Sequence, residues 1–326
     1  MEKIKSWCSK NAVVVFLFII MAVFGSQSEI FFSQRNLINI TSQMSINALL
    51  ATGVTFVIIT GGIDISIGSV AGFAGIFAAN LGLRFPEMSI ITSLAIQIFS
   101  AVLIGGICGL FNGVMITKLK VVPMIATLAM MTIARGLAYV VTDGRPVYGL
   151  HRNFAWLGAQ RFLTTETMAQ GFIPIVTVFT IIVVLLMHIL LTKTVFGRHV
   201  YAVGSNENVA HLSGVNVDRT KIFAYILCSI MAALGGIVVA SRLNAGQPAS
   251  GDGYEMYAIA ATVLGGTSFA GGIGSVSRAM IGAAIIAIIN NGMNLMQVSS
   301  YWQKVVTGAI ILIAVIVDMS QKRTKK

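Results

Sequence analysis

The chain has 326 residues, 56% of them hydrophobic and only 10% charged, where a soluble domain carries roughly 25% charged residues. That balance excludes an ordinary soluble domain and predicts a protein of the membrane. The formal charge of +11 is scattered over loop ends and forms no single stripe, which favours membrane orientation over a nucleic-acid partner.

A spanning helix needs about 20 apolar residues, since backbone amides in hydrocarbon must be satisfied within the segment. Ten runs read as spans, at about 11 to 30, 45 to 62, 66 to 83, 89 to 116, 121 to 141, 172 to 191, 221 to 241, 254 to 269, 276 to 296 and 302 to 318. The expected fold is therefore all-α, one polytopic transmembrane domain over residues 1–326. The first run follows Lys3, Lys5 and Lys10. Gly25 and Ser26 after it could mark a cleaved signal peptide, but with nine spans to follow an uncleaved first helix is the preferred reading.

Between spans two and three stands ITGGIDISIGSV. Gly61 and Gly62 can end one helix, and Asp64 or Ser66 can cap the next by accepting from a free backbone N–H. A carboxylate at the bilayer centre costs several kcal/mol, about 2.5–3.5 on insertion scales, so Asp64 is expected at a cytoplasmic turn or a water-lined break. A cap and a gate or ion route are both open readings. In span four, Gly105, Gly109 and Gly113 recur every four residues and predict a face where another helix backbone approaches. Asn112 lies beside them, and Arg135 in span five is a pathway or a packing charge.

The outer loop, about 142–171, mixes aromatics with Arg145, Arg152 and Arg161, a composition suited to a soluble partner or to covering a pore. The inner loop, about 192–220, contains GRHVYAVGSNENVAHLSGVNVDRT. Its centre, Asn206 to Leu212, bounded by Gly204 and Gly214, reads as a short helix. Ser205 is the expected cap, and Glu207 lies in the first turn, where the helix dipole favours negative charge. Such a helix is a handle by which another protein can move the spans.

VLGGTSFAGGIGSV, with Gly265 and Gly266, echoes the first glycine break, and paired interruptions of this kind flank transporter pathways. In span nine Asn290, Asn291 and Asn294, like Asn112, are intramembrane amides that can donate and accept toward a solute's hydroxyls or bond other helices. Lys and Arg test the whole count: with the N-terminus inside, 14 fall on inner segments and six or seven on outer ones, as cytoplasmic termini require. Cys8, Cys108 and Cys228 imply no disulfide framework. His151, His188, His199 and His211 lack metal-ligand spacing, and neither a GxSxG elbow nor a GxxxxGK[ST] phosphate loop is present. No catalytic residue, metal site or resident cofactor is expected.

Three motifs in order, G-G-I-D-I-S-I-G-S, G-R-x-x-Y-A-V-G-x-N-E, and Q-P-A-S-G-D-G-Y-E followed by I-A-A-T-V-L-G-G-T-S-x-x-G-G-x-G, resemble permease subunits of bacterial ABC importers for monosaccharides, the ribose-type group. The resemblance runs from about Asn36 to Asp318. It implies two permease copies in the lipid of the bacterial inner membrane, a periplasmic sugar-binding protein, and a cytoplasmic ATP-binding subunit that holds ATP and Mg. It also implies a coupling segment from Gly197 through Gly214, with Asn206, Glu207, Ala210 and Leu212 nearest the ATPase. The transported sugar would be ribose or a relative such as allose. Tyr257 stands where relatives often carry an acidic residue, which leaves the role of the outer segment open. The rival reading is an ion-coupled secondary sugar transporter using Asp64 as its ligand.

Overall fold

The structure is a computed structural model that describes residues 12–162, 171 and 173–323. Lys3, Lys5, Cys8, Lys10, Lys325, Lys326 and residues 163–170 of the outer loop lie outside the described residues. In chain order the α-helices are α1 Ala12–Gln27, α2 Gln34–Ile59, α3 Ile67–Gly82, α4 Ile90–Thr117 and α5 Pro123–Thr142. A 3₁₀ turn, Arg152–Ala155, then leads into α6 Trp156–Ala159, and β1 Arg161–Phe162 pairs antiparallel with β2 Ile173–Pro174. The remaining helices are α7 Ile175–Lys193, α8 Val195–Ser205, α9 Glu207–Leu212, α10 Val217–Leu243, α11 Tyr254–Leu264, α12 Val276–Leu295 and α13 Ser300–Arg323.

Local chemistry sets many of these boundaries. Ser33, Ser89, Thr194 and Asn216 each accept from a backbone N–H of the first turn that follows, satisfying donors that a helix start leaves free. Pro123 opens α5, where its missing N–H costs nothing. Asp143 and Asn244 close α5 and α10 in the left-handed conformation.

A helix stands at each of the ten expected places, but the lengths differ. Six of them, α2, α4, α5, α7, α10 and α12, are long and apolar enough to cross a membrane, while α1 and α3 are shorter apolar helices. The expected eighth span is helical over only part of its length: α11 has 11 residues, about 16 Å at 1.5 Å per residue, against a hydrocarbon core of about 30 Å. From Gly265 onward the chain leaves the helix. The second span, expected to begin near residue 45, starts at Gln34. Its first turns carry Asn36, Ser42 and Ser45, polar residues that mask it from a hydropathy reading yet are buried and bonded within the fold.

α10 lies at the centre, packed on α4, α3 and α2, and α2 packs in turn on α12, α11 and α7. The glycine face of α4 rests directly on the α10 backbone. A Cβ at Gly105, Gly109 or Gly113 would stand 2.6, 2.5 or 2.8 Å from the Cα of Ile230, Ile226 or Ile222, so these positions accept hydrogen alone. Gly236 of α10 meets the Ala71 carbonyl of α3 in the same way.

Segments expected on one side of the membrane gather at one end of the bundle. At the expected inner end Lys118 pairs with Asp218 at 2.7 Å, and the Tyr201 hydroxyl donates to the Gly274 carbonyl at 2.8 Å. At the other end Asn153 donates to the Met88 carbonyl at 2.8 Å, Val147 bridges Gly246, and Lys304 meets Asp252 at 3.3 Å.

Candidate functional site

The first glycine break is a complete interruption. α2 ends at Ile59, Gly61 takes φ +79°, and the chain runs irregularly to Ser66, where α3 begins. Gly62 lies under the Tyr225 hydroxyl, 2.5 Å from the place a Cβ would occupy, and that hydroxyl donates to the Ile63 carbonyl at 3.3 Å. Asp64 is more enclosed than its sequence expectation of an open, water-lined break: it is 0% exposed. Its Oδ1 accepts from the Ser66 backbone N–H at 2.9 Å and the Ser66 hydroxyl at 2.6 Å, a local turn ahead of the helix and not a cap on it. Ser66, the residue at the α3 boundary, makes no side-chain cap bond. Asn112 of α4 donates to Ser66 Oγ at 3.1 Å, tying the break to α4. Hydrogen bonding is what lets such groups sit inside the fold.

The second break lies against the first. Gly265 packs on the Arg278 backbone, 2.6 Å from its carbonyl oxygen to the position of an added Cβ, while Gly266, Gly271 and Gly272 all have positive φ. The Gly272 N–H donates to the Ile59 carbonyl at 2.9 Å, so the last residue of α2 is bonded to the glycine loop that precedes α12. α8 completes the junction. Its Gly204 presses against the Ile59 carbonyl and the Gly272 amide too closely for any side chain. Burial raises the Tyr201 phenol above its ordinary pKa by desolvation, keeping it a neutral donor to Gly274. The two glycine breaks and the inner-loop helix thus form one contact.

α9 projects from that junction. Asn206 is its cap, accepting from Val209 N at 3.1 Å. Ser205, the expected cap, is instead the last residue of α8, and Gly204, expected to bound the short helix, lies inside α8. Glu207 occupies the first turn and pairs with Lys221 of α10 at 2.5 Å. Gly214 has φ +83°, a conformation glycine adopts without penalty. Gly197 packs on the Leu191 carbonyl at the opposite end of the segment. Ala210 is 4% exposed and packs with Val203 and Val217, so it faces this chain. Leu212 is 86% exposed and Val209 58%. Val209 carried no sequence signal of its own, because exposure on a two-turn helix depends on how that helix is seated.

The candidate pathway amides are not brought together. Asn291 and Asn36 exchange two hydrogen bonds, at 2.8 and 2.9 Å, joining α12 to α2. Asn294 accepts from Gln303 Nε2 at 2.8 Å, joining α12 to α13, and Asn112 stands apart in the first break. Asn290 keeps its Oδ1 buried without a partner. Arg135 donates to the carbonyls of Pro248 and Ser250 at 2.7 Å each, pinning the Q-P-A-S-G-D-G loop against α3, where Gly68 meets Gly251 and the Glu255 carboxylate. Tyr257 lies beside Tyr254, ring centroids 6.5 Å apart. At the far end of α3 a cavity of about 580 Å³ opens between Asn80, Asp143, Arg145 and Tyr148.

A lipid-facing helical bundle whose central helices are broken by bonded glycine loops, with a short helix seated on the breaks, defines a polytopic membrane protein of the permease class. The chain belongs to the family described as branched-chain amino acid transport system / permease component, whose model matches residues 36–315. That family consists of transport permease components, not catalytic subunits. The ribose import permease protein RbsC of Escherichia coli (strain K12) is 40% identical over 320 residues, 96% of this chain and 95% of the relative. The Bacillus subtilis (strain 168) protein of the same name is 41% identical over 307 residues, covering 93% and 90%. The D-allose transport system permease protein AlsC of Escherichia coli (strain K12) is 37% identical over 310 residues, covering 95% and 91%. No solved structure matches the chain.

Proposed function

We propose that this chain is the transmembrane permease subunit of an ATP-binding cassette importer that carries a monosaccharide, ribose or a related sugar such as allose, across the bacterial inner membrane. The observation that carries this reading is the 40% identity to a ribose import permease along 96% of the chain. The family description names branched-chain amino acids, yet the relatives at 34–41% identity are named for ribose, allose and galactose import.

Two copies enclose the pathway, with both termini in the cytoplasm and the apolar perimeter in lipid. A periplasmic sugar-binding protein docks on the outer loops. A cytoplasmic subunit binds ATP and Mg and receives α8 and α9 through the segment from Gly197 to Gly214. Asn206 and Glu207 shape the handle, Leu212 and Val209 offer it apolar surface, and Ala210 anchors it inward. ATP binding draws the ATPase subunits together. α8 then displaces Ile59 and Gly272 as one unit, moving α2 and α12 relative to their neighbours, and the pathway changes the side it faces. Gly61, Gly62, Asp64, Gly265 and Gly266 are the breaks at which the spans bend.

The test is reconstitution with the ATPase and binding protein, followed by a screen of labelled monosaccharides with leucine as comparison. ATP-dependent sugar uptake is expected. Uphill uptake by the chain alone, driven by sodium or protons, would instead establish the ion-coupled secondary transporter.

A further inference from the structure

The Asp64 cluster leaves two buried acceptors without a hydrogen-bond partner. Asp64 Oδ1 is saturated by Ser66, but Oδ2 is buried without a partner. Asn112 spends its amide on Ser66 Oγ, and its own Oδ1 is equally buried and unpartnered. The titratable groups that face the carboxyl are Cys108 from α4 and Tyr225 and Cys228 from α10. None is basic, the Tyr225 hydroxyl is already committed to the Ile63 carbonyl, and the Cys228 thiol is a weak donor toward the carboxyl. An ionised carboxylate would therefore be a buried charge without a counter-ion, beside a second unpaired oxygen, a costly arrangement for such groups.

We propose that the break between α2 and α3 holds a bound proton on Asp64 Oδ2, donated in a hydrogen bond to Asn112 Oδ1, so that a neutral acid and amide pair latches the break to α4. One hydrogen removes both unpaired acceptors. Hard cations need several oxygen ligands, whereas the remaining neighbours are two sulfurs and an engaged phenol, and no group of three His, Cys, Asp or Glu side chains placed to hold a metal ion is found among the described residues. The Asp64 neighbourhood is separated from the α8 contact at Ile59 by only the glycine turn, so movement of α8 strains this latch first. Because the pair is neutral, it can release and re-form inside the bilayer without exposing a charge to hydrocarbon. The proton stays with the protein throughout, unlike the transported proton of an ion-coupled carrier.

The test is infrared spectroscopy of the full chain in lipid nanodiscs at neutral pH, without nucleotide, sugar or partners, so its outcome does not depend on the importer assignment. Wild type is expected to show the carbonyl stretch of a protonated acid. The band disappears in Asp64→Asn and shifts to higher frequency in Asn112→Leu, which keeps the acid but removes its acceptor. Absence of any difference between wild type and Asp64→Asn overturns the proposal, as does a band that Asn112→Leu leaves in place. In the reconstituted importer, Asp64→Asn retains ATP-driven uptake within about threefold of wild type, because an amide N–H replaces the O–H donor. Asp64→Leu strands Asn112 and loses about tenfold or more. A folded Asp64→Asn protein without uptake, or uptake that requires sodium at this carboxyl, also overturns it.

Discussion

Gly109 and Gly106 are both helical glycines of α4, three residues apart, and they have opposite surroundings. At Gly109 a Cβ would meet the α10 backbone at 2.5 Å, whereas at Gly106 no atom lies within 4 Å. Gly109→Ala is expected to destabilise the protein by about 1–3 kcal/mol, the usual cost of overpacking a rigid contact. Gly106→Ala should be neutral or slightly stabilising, as helix propensity favours alanine over glycine. Thermal unfolding of the two variants in one detergent checks this, and equal midpoints would refute the close approach. Asn291 poses a comparable question. Its reciprocal bonds with Asn36 make it a helix tie, so Asn291→Leu should cost on the order of 1 kcal/mol, interhelical bonds in a membrane averaging about 0.6 and reaching about 1.7 kcal/mol. The order of preference among monosaccharides should not change. A reordered sugar preference would restore Asn291 to the pathway.

Among the elements, α9 divides its residues by direction. Leu212 and Val209 point outward, Ala210 points inward, and Glu207 is held by Lys221. Leu212→Ala and Val209→Ala together should sharply reduce co-purification of the ATPase while membrane insertion is unchanged. Glu207→Gln removes an exposed ion pair worth about 0.2–1 kcal/mol, so its effect should be small and should shrink further at high salt. The reverse ranking, with Glu207→Gln abolishing association, would mean that the carboxylate itself meets the partner. The existence of this helix was legible in the sequence, from the bounded Asn206 to Leu212 stretch and the acidic first turn. Its cap and its exposed side were not. Ser205 and Asn206 are equally good caps by residue type, and only the preceding helix, which runs through Ser205, decides between them.

At the scale of the whole molecule, hydropathy and basic-residue placement showed where helices lie and which loops share an end, because both follow from the solvent around each segment. Burial of Asp64 and the shortness of α11 were hidden for the complementary reason: their surroundings are other segments, distant in sequence. The Gly204 contact belongs to that second class, and it bears on how force would cross the protein. α8 touches Ile59 and Gly272 through a backbone surface with no space for a methyl group, so the two breaks should follow α8 as a rigid unit. Gly204→Val should therefore separate two properties that the coupling reading joins. The exposed side of α9 is untouched, so the ATPase still co-purifies and still hydrolyses ATP, but α8 is wedged away from Ile59 and sugar uptake falls at least about tenfold, as expected when a positioning contact moves by about 1 Å. A control, Gly214→Asn, lies outside the junction and fills an open left-handed position that asparagine tolerates, so it should leave uptake near normal. If Gly204→Val transports as well as wild type, or if it loses the ATPase altogether, motion is not carried from α8 to the breaks through this contact.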